Sequence, residues 1–231
     1  MFVPLKDENP LVLIPFEIVN VGLIAICVFV FVVFQSGFVL DPGDGQYGYA
    51  MIPATFFDVM TRGPNLAAIP EDLTVITYIF LHGGWLHLLS NMLFLWVFGD
   101  NIEDAMGHLR YLVFFLLCGA IAGYVHALTD PASQAPLIGA SGAVAGVVGA
   151  YLMLHPRVKV WVLILWRIPV PIPAFLALGA WIALQFFNVV AASPDDDVAW
   201  WAHIGGFAAG AVLIVFFKRR DVPLFDRGTR H

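Results

Sequence analysis

Charged residues are scarce in this chain of 231 residues. Asp, Glu, Lys and Arg make up 12% of it, whereas hydrophobic residues make up 60%. Soluble globular domains carry about 25% charged and about 45–50% apolar residues. A water-soluble domain of this length could not bury so much apolar surface, so the bilayer is the expected solvent. The same composition excludes intrinsic disorder and a collagen-like chain.

Cysteine and basic residues are also few. Cys27 and Cys118 both lie in apolar stretches, which indicates small buried side chains rather than a disulfide framework. The formal net charge is −6 and the sequence has no dense basic patch, so nucleic-acid binding is not expected. Residues 1–10 lack the basic region that opens a signal peptide, and no small-residue cleavage pattern follows the first apolar stretch. That stretch is therefore predicted to be a retained membrane anchor.

Six long segments contain no Asp, Glu, Lys or Arg: residues 18–40, 73–99, 111–129, 131–156, 168–194 and 198–217. Each is at least about as long as the 17–20 residues that a spanning helix needs. Their continuous apolar character favours helices over the alternating strands of a barrel. The sequence therefore predicts an all-α polytopic membrane protein with one membrane domain over residues 1–231. The six predicted transmembrane helices cover about residues 17–36, 84–104, 110–128, 141–155, 172–192 and 200–217.

The basic residues predict the orientation of these spans. With six spans both termini lie on one side, and ten of the eleven Lys and Arg residues fall on that side, Arg62 being the exception. Because basic loops face the cytoplasm, residues 1–10 and 218–231 are predicted to be short cytoplasmic tails. The outer loop from about 37 to 80 is rich in Pro, Gly and aromatic residues, so we expect it to be large, broken and partly embedded.

Polar side chains are costly inside a bilayer and often functional. The second, fourth and sixth predicted spans carry theirs near the outer ends: His82, His87 and Asn91, then Ser141, then His203. His87 and Asn91 are four residues apart, so they share one helical face. At about 1.5 Å per residue, Ser141 and His203 lie roughly 24 and 22 Å from the first basic residue at the inner end of their spans. The two side chains are therefore predicted at similar depths.

Each of these residues has a simpler explanation when taken alone. Ser141 could bond its own helix, Asn91 could be an interhelical donor, and His203 could be a proton relay, a metal ligand or a buried donor. The spacing of His82 and His87 suits two ligands on one helical face poorly, and no carboxylate or cysteine converges there, so no metal is expected. Together, however, the residues match the nucleophile, general base and oxyanion donors of acyl transfer.

Glycines spaced by four predict close packing of the fourth and sixth spans. Gly142 and Gly146 lie on one, and Gly206 and Gly210 on the other. Such a contact would bring Ser141 within reach of His203. The acidic run at residues 195–197 is expected in a solvated turn, so a Ser–His dyad is predicted rather than a triad.

Taken in order along a six-span chain, these motifs resemble the rhomboid family of intramembrane serine proteases. The resemblance covers roughly residues 75–217. It is carried by His82-x4-His87-x3-Asn91, Gly139-x-Ser141-Gly142 and Ala202-His203-x-Gly205-Gly206, and by Asn101-Ile102-Glu103-Asp104 followed by Gly107, Arg110 and Tyr111. The fold implied by this resemblance is a rhomboid-like bundle. A bacterial inner (plasma) membrane is the location expected for such a compact six-span form.

The resemblance also implies a function, that of a serine endopeptidase that hydrolyses a peptide bond in or near the transmembrane segment of membrane proteins, usually single-span ones. Ser141 would be the nucleophile and His203 the general base. His87, Asn91 and the Ser141 backbone N–H would stabilise the oxyanion. Supporting roles are implied for His82, Gly139, Gly142 and Gly206. The lipid bilayer and membrane-protein substrates are the implied partners, with no metal and no organic cofactor.

Two positions depart from the family's pattern. Many members carry a tyrosine one turn after the nucleophile, packed on the histidine, but this chain has Ala145, so His203 must be oriented by other groups, with Trp200 and Trp201 as candidates. The first outer loop has Arg62 without the tryptophan that many members place before it. A second function, that of a rhomboid-like protein that binds membrane clients without cutting them, is therefore an alternative. A small transporter is the third alternative, although the sequence has neither inverted repeats nor a carboxylate within the six segments.

Overall fold

A computed structural model describes residues 3–40, 44–63, 66–164, 167–191 and 198–226. The described residues form a helical bundle with a small sheet at one end. The helices are α1 (Ile18–Val30), α2 (Pro53–Phe56), α3 (Glu71–Thr77), α4 (Trp85–Met106), α5 (His108–Thr129), α6 (Ser141–Leu154), α7 (Ala174–Ala191) and α8 (Trp200–Phe217). The strands are β1 (Val3–Asp7), β2 (Lys159–Ile164) and β3 (Ile168–Pro173). The predicted helical membrane fold is confirmed.

The lengths of the helices support four or five spans within the described residues. α1 with its π-helical continuation to Gln35, α5, α7 and α8 are each long and apolar enough to cross a membrane. The segment Glu71–Phe80 and α4, which meet at an angle of 82°, pass the same test as a pair. α6 has 14 residues, or about 21 Å of helix, which is less than the roughly 30 Å of a hydrocarbon core. The count of six spans stays a prediction.

α6 is the central helix of the bundle. Every residue from Gly142 to Tyr151 is buried. Its glycines let α8 approach to backbone contact, because a Cβ atom on Gly206 would lie 2.0 Å from the Gly142 carbonyl oxygen, and one on Gly210 would lie 1.9 Å from the Gly146 carbonyl oxygen. The two helices thus meet along the spacing of four that the sequence displays, as small residues permit in lipid.

This close approach predicts a large packing penalty for Gly210→Ala. The added methyl group must push α8 away from α6, and overpacking of this kind lowers the free energy of unfolding by about 1–3 kcal/mol. Gly179→Ala in α7 is the matched control, since no described residue, apart from its chain neighbours and its own helix backbone, comes within 4 Å of a Cβ atom placed there. Melting temperatures in detergent should fall for Gly210→Ala alone. Equal melting temperatures for the two variants would contradict the packing described here.

A buried amide joins three helices near the N-terminal end of α1. Asn20 in α1 is fully buried. Its Oδ1 accepts a hydrogen bond from the Tyr111 hydroxyl of α5 at 2.9 Å, and its Nδ2 donates to the Leu95 carbonyl of α4 at 3.1 Å. Satisfied polar groups of this kind hold helices together in a bilayer.

The acidic pair of the Asn101–Asp104 motif, Glu103 and Asp104, has a structural role. The Asp104 carboxylate accepts hydrogen bonds from the backbone N–H groups of residues 12–14, at 2.6 to 3.1 Å. Glu103 accepts from the N–H groups of Val19 and Asn20 at the start of α1, at 3.0 and 2.7 Å. A carboxylate at this position complements the positive end of the helix. The motif therefore fixes the N-terminal segment on the bundle.

A three-stranded antiparallel sheet, in the order β1-β2-β3, was not predicted. Residues 3–7 of the predicted N-terminal tail form β1, which pairs with β2. β2 buries Val160 and Val162, whereas β3 carries alternate prolines, which suit an edge strand because proline cannot donate to a ladder. The chain beyond α8 also packs on the bundle as far as residue 226: the Phe225 N–H donates to the Met153 carbonyl at 2.8 Å.

Asp7 connects this sheet to α6. Its carboxylate accepts hydrogen bonds from the Tyr151 hydroxyl at 2.5 Å and from Asn101 Nδ2 at 3.0 Å. Burial raises the pKa of Asp7 to about 6, whereas an aspartate in an unfolded chain titrates near 3.9. The folded chain therefore holds this proton more tightly than the unfolded chain does.

The raised pKa of Asp7 predicts a pH dependence of stability. The free energy of unfolding should fall as the pH rises from about 4 to about 6, because the unfolded chain ionises first. Asp7→Asn keeps an acceptor for the Tyr151 hydroxyl and removes the titration. We therefore expect this variant to lose that part of the slope of melting temperature against pH. An identical slope in both proteins would show that Asp7 does not cause it.

Candidate active site

Ser141 is the first residue of α6, at the end of a loop with an unusual backbone conformation. Gly139 has a φ of +120°, which side-chain-bearing residues rarely adopt. Its N–H group donates to the Tyr78 carbonyl at 2.9 Å, which anchors the loop. Ser141 itself is half-buried. Its backbone N–H belongs to the first turn of a helix, where N–H groups have no partner within the helix and the helix dipole is positive.

His203 lies in the first turn of α8, at the same end of the α6–α8 contact as Ser141. It precedes Gly206, the residue in backbone contact with Gly142, by one turn. The Ala202 carbonyl oxygen would lie 3.6 Å from a Cβ atom on Gly142. The structure thus brings the two predicted catalytic side chains to the facing ends of two tightly packed helices.

The imidazole of His203 is surrounded by groups from α7 and α8. Its Nδ1 lies 2.8 Å from Gln185 Oε1. The Trp181 ring is 5.9 Å away at an interplanar angle of 35°, and the Trp200 ring is 6.0 Å away, edge to face. Trp200 was a candidate from the sequence, whereas Gln185 and Trp181 were missed. The signal was present, because an amide in an apolar span is costly unless it finds a partner.

His87 and Asn91 face the loop that leads to Ser141. A Cβ atom on Gly139 would lie 2.6 Å from His87 Nε2 and 3.9 Å from Asn91 Nδ2. The Gly83 backbone N–H donates to His87 Nδ1 at 3.4 Å, so in the neutral ring the proton is on Nε2. Asn91 Nδ2 is buried and has no hydrogen-bond partner among the described residues. Two N–H donors therefore converge on the loop two residues before Ser141.

His82 lies behind this pair rather than beside the loop. Its ring packs edge to face on the His87 ring at 5.3 Å, and its backbone N–H donates to Gln35 Oε1 at 3.0 Å. Both ring nitrogens are buried without a partner in the part of the chain that the structure describes. Those same residues contain no group of three His, Cys, Asp or Glu side chains that could hold a metal ion. The acidic run at residues 195–197 lies outside the described residues.

The family of the chain is shown by its match to a protein-family model. A family model described as "Rhomboid domain" matches residues 71–220. The chain belongs to the rhomboid family. The match extends from α3 to just beyond α8 and therefore includes all the site residues described above.

Three rhomboid relatives show how far the similarity extends. RHOMBOID-like protein 5 of Arabidopsis thaliana is 32% identical over 143 residues, which are 62% of this chain and 43% of the relative. Rhomboid protein 1, mitochondrial, of Saccharomyces cerevisiae is 32% identical over 149 residues, covering 62% and 41%. Rhomboid-like protease 5 of Toxoplasma gondii is 30% identical over 168 residues, covering 67% and 17%. The chain spans less than half the length of these relatives.

The rhomboid relationship confirms the predicted family and an integral, multi-pass membrane location. It also supports intramembrane proteolysis at the level of the family. Several relatives are named as mitochondrial, so the bacterial inner membrane stays a prediction for this chain.

Proposed function

We propose that this rhomboid-family protein is an intramembrane serine endopeptidase in which Ser141 is the nucleophile and His203 the general base. The observation that carries the proposal is the convergence of three helix ends. α4, α6 and α8 present His87 and Asn91, Ser141, and His203 within two turns of their N-termini. Their side chains comprise one hydroxyl, one imidazole whose Nδ1 is hydrogen-bonded to Gln185, and two N–H donors directed at the loop around Gly139.

The reaction follows from these groups. The Nδ1–H of His203 donates to Gln185, so Nε2 is free to take the proton of the Ser141 hydroxyl as Oγ attacks the substrate carbonyl carbon. His203 then gives that proton to the leaving amine as the C–N bond breaks, which leaves an acyl-enzyme. Water attacks the ester with His203 again accepting a proton. The proton returns to Oγ as the ester bond breaks, which releases the new carboxyl terminus and restores Ser141.

The negative charge on the tetrahedral intermediate needs donors that are already in place. We assign this role to His87 Nε2–H, Asn91 Nδ2–H and the Ser141 backbone N–H. Asn91 Nδ2 has no hydrogen-bond partner among the described residues, which supports the assignment, because a buried donor without a partner is destabilising in the resting protein and gains a partner when an oxyanion forms. Gly139 leaves space for His87 Nε2 beside the loop.

The substrates proposed are single-span membrane proteins, cleaved in or near the transmembrane segment. The N-terminal end of α6 lies inside the bundle, and α6 is too short to cross a bilayer alone. Ser141 is therefore expected below the outer surface of the membrane. The proposed location is the bacterial inner membrane, and both termini are proposed to face the cytoplasm. The reaction needs no metal or organic cofactor.

The alternative, a client-binding protein that does not cut, is favoured by Ala145 alone. The contact of His203 with Gln185 and Trp181 offers another means of orienting the imidazole. A cleavage assay with the purified chain and a labelled single-span substrate in liposomes separates the two functions. Cleavage by the wild type and not by Ser141→Ala supports the protease. Capture of the substrate without cleavage by either protein favours the alternative.

A further inference from the structure

Gln185 is the polar side chain of α7 that reaches the candidate base. It lies in the middle of an apolar helix and is 5% exposed. Its Oε1 is 2.8 Å from His203 Nδ1. The buried residues of α7, namely Ala174, Ala177, Leu178 and Gln185, form one stripe, so Gln185 continues the face by which this helix packs on the bundle.

The orientation of the Gln185 amide is fixed by a second hydrogen bond. Nε2 donates to the Trp181 carbonyl oxygen at 2.9 Å, one turn earlier in the same helix. A carbonyl oxygen can only accept, so the NH2 group must face Trp181 and the amide oxygen must face His203. His203 Nδ1 is therefore the donor of the other bond. The amide selects the tautomer in which Nε2 carries the lone pair that a general base needs.

Ring contacts restrict the same imidazole. The Trp181 ring lies 5.9 Å from the His203 ring, tilted by 35°, and 6.0 Å from the Phe94 ring of α4. α4 also carries His87 and Asn91. Trp181 thus lies between the base and the helix of the two oxyanion donors. Gln185 and Trp181 are one turn apart on α7, and together they contact His203 through both a polar and an aromatic group.

We propose that Gln185 is a positioning residue that sets the tautomer and orientation of His203. It would take over the role of the tyrosine that the resemblance leads one to expect at position 145. The inference rests on the proposed function, since positioning matters only if His203 acts as the base. A neutral acceptor fits this buried site, because a permanent negative charge would need its own partners. The chain thereby obtains the orienting group of a Ser–His–acid triad without an acid.

Three α7 variants test this proposal. Gln185→Met keeps the length and removes the acceptor, and Gln185→Glu in its protonated form can donate to the Trp181 carbonyl and accept from His203. Phe187→Leu changes a 65% exposed side chain of the same helix and is the control. We expect Gln185→Met to lower kcat by about 10²-fold, with KM within about twofold, Gln185→Glu to recover most of the loss, and Phe187→Leu to match the wild type. An unchanged kcat in Gln185→Met overturns the proposal, as does a rise in KM alone.

A measurement of the tautomer separates this inference from the proposed function. Histidine ring 15N NMR of wild type and variants, with His203→Ala for assignment, should show His203 with its proton on Nδ1 in the wild type and in Gln185→Glu. Gln185→Met should shift the population towards the proton on Nε2. A wild-type proton on Nε2 overturns the positioning role even if cleavage is observed. A wild-type proton on Nδ1 in a chain that cleaves no substrate supports the orientation and contradicts the protease.

Discussion

Ser141→Ala is expected to reduce kcat for a single-span substrate by at least about 10⁴-fold, because no other group in the site can form the acyl bond. His203→Ala should have an effect of similar size, since the hydroxyl then has no base. The two effects should not add, because both residues act in the same step. Ser141→Ala removes a single oxygen atom, so its melting temperature should stay close to that of the wild type. His203→Ala leaves the buried Gln185 Oε1 without its partner, so a lower melting temperature is expected for that variant.

Ser36→Ala is the matched control for loss of a hydroxyl within the membrane region. Ser36 Oγ donates to the Val32 carbonyl at 2.7 Å at the end of α1 and belongs to no part of the site. We expect its cleavage rate to equal that of the wild type. Initial rates in liposomes and melting temperatures in detergent measure the two properties separately. Substantial cleavage by folded Ser141→Ala would show that the nucleophile lies elsewhere.

The second large effect is expected at Asn91. Removing one oxyanion donor lowers kcat by about 10²- to 10³-fold in serine hydrolases, and Asn91→Leu should fall in that range with little change in KM. Because Asn91 Nδ2 has no partner within the described part of the chain, the same change should leave the melting temperature unchanged or raise it. Loss of activity with a gain of stability is the pattern of a residue kept for catalysis.

Asn20→Leu provides the opposite case in the same protein. Asn20 is equally buried but makes two interhelical hydrogen bonds, to Tyr111 and Leu95. Its replacement should lower the melting temperature, while the folded fraction keeps its kcat. Comparing the two variants under identical detergent conditions distinguishes donors for the oxyanion from donors for the fold. A fall in melting temperature for Asn91→Leu as large as that for Asn20→Leu would contradict the assignment of Asn91.

The membrane fold and the candidate site were predictable from the sequence because both depend on where polar residues are missing. Long uncharged segments predict helices, since each satisfies its own backbone hydrogen bonds in lipid. Against that background, a serine, a histidine and a His/Asn pair near the outer ends of three spans stand out. The glycine spacing on α6 and α8 also indicated how two of these residues meet.

The remaining features depend on contacts that no local pattern encodes. β1 pairs with β2 across more than 150 residues, and both strands are too short to show a reliable alternation. Glu103 and Asp104 entered the sequence analysis only as part of a family motif, yet they accept hydrogen bonds from backbone N–H groups 83 to 92 residues earlier in the chain. Gln185 was overlooked because its only sequence signal is one amide in an apolar helix. Its partner, His203, lies on the next helix and is 18 residues away.

Reaction of the purified chain with a fluorophosphonate, followed by intact-mass analysis and peptide mapping, tests the proposed Ser141–His203 dyad without a substrate. A phosphonate reports an activated serine without requiring the correct substrate. We expect a single adduct on Ser141, which His203→Ala prevents and Ser36→Ala does not affect. An adduct on another serine, or equal labelling of Ser141 in wild type and His203→Ala, would contradict the proposed dyad.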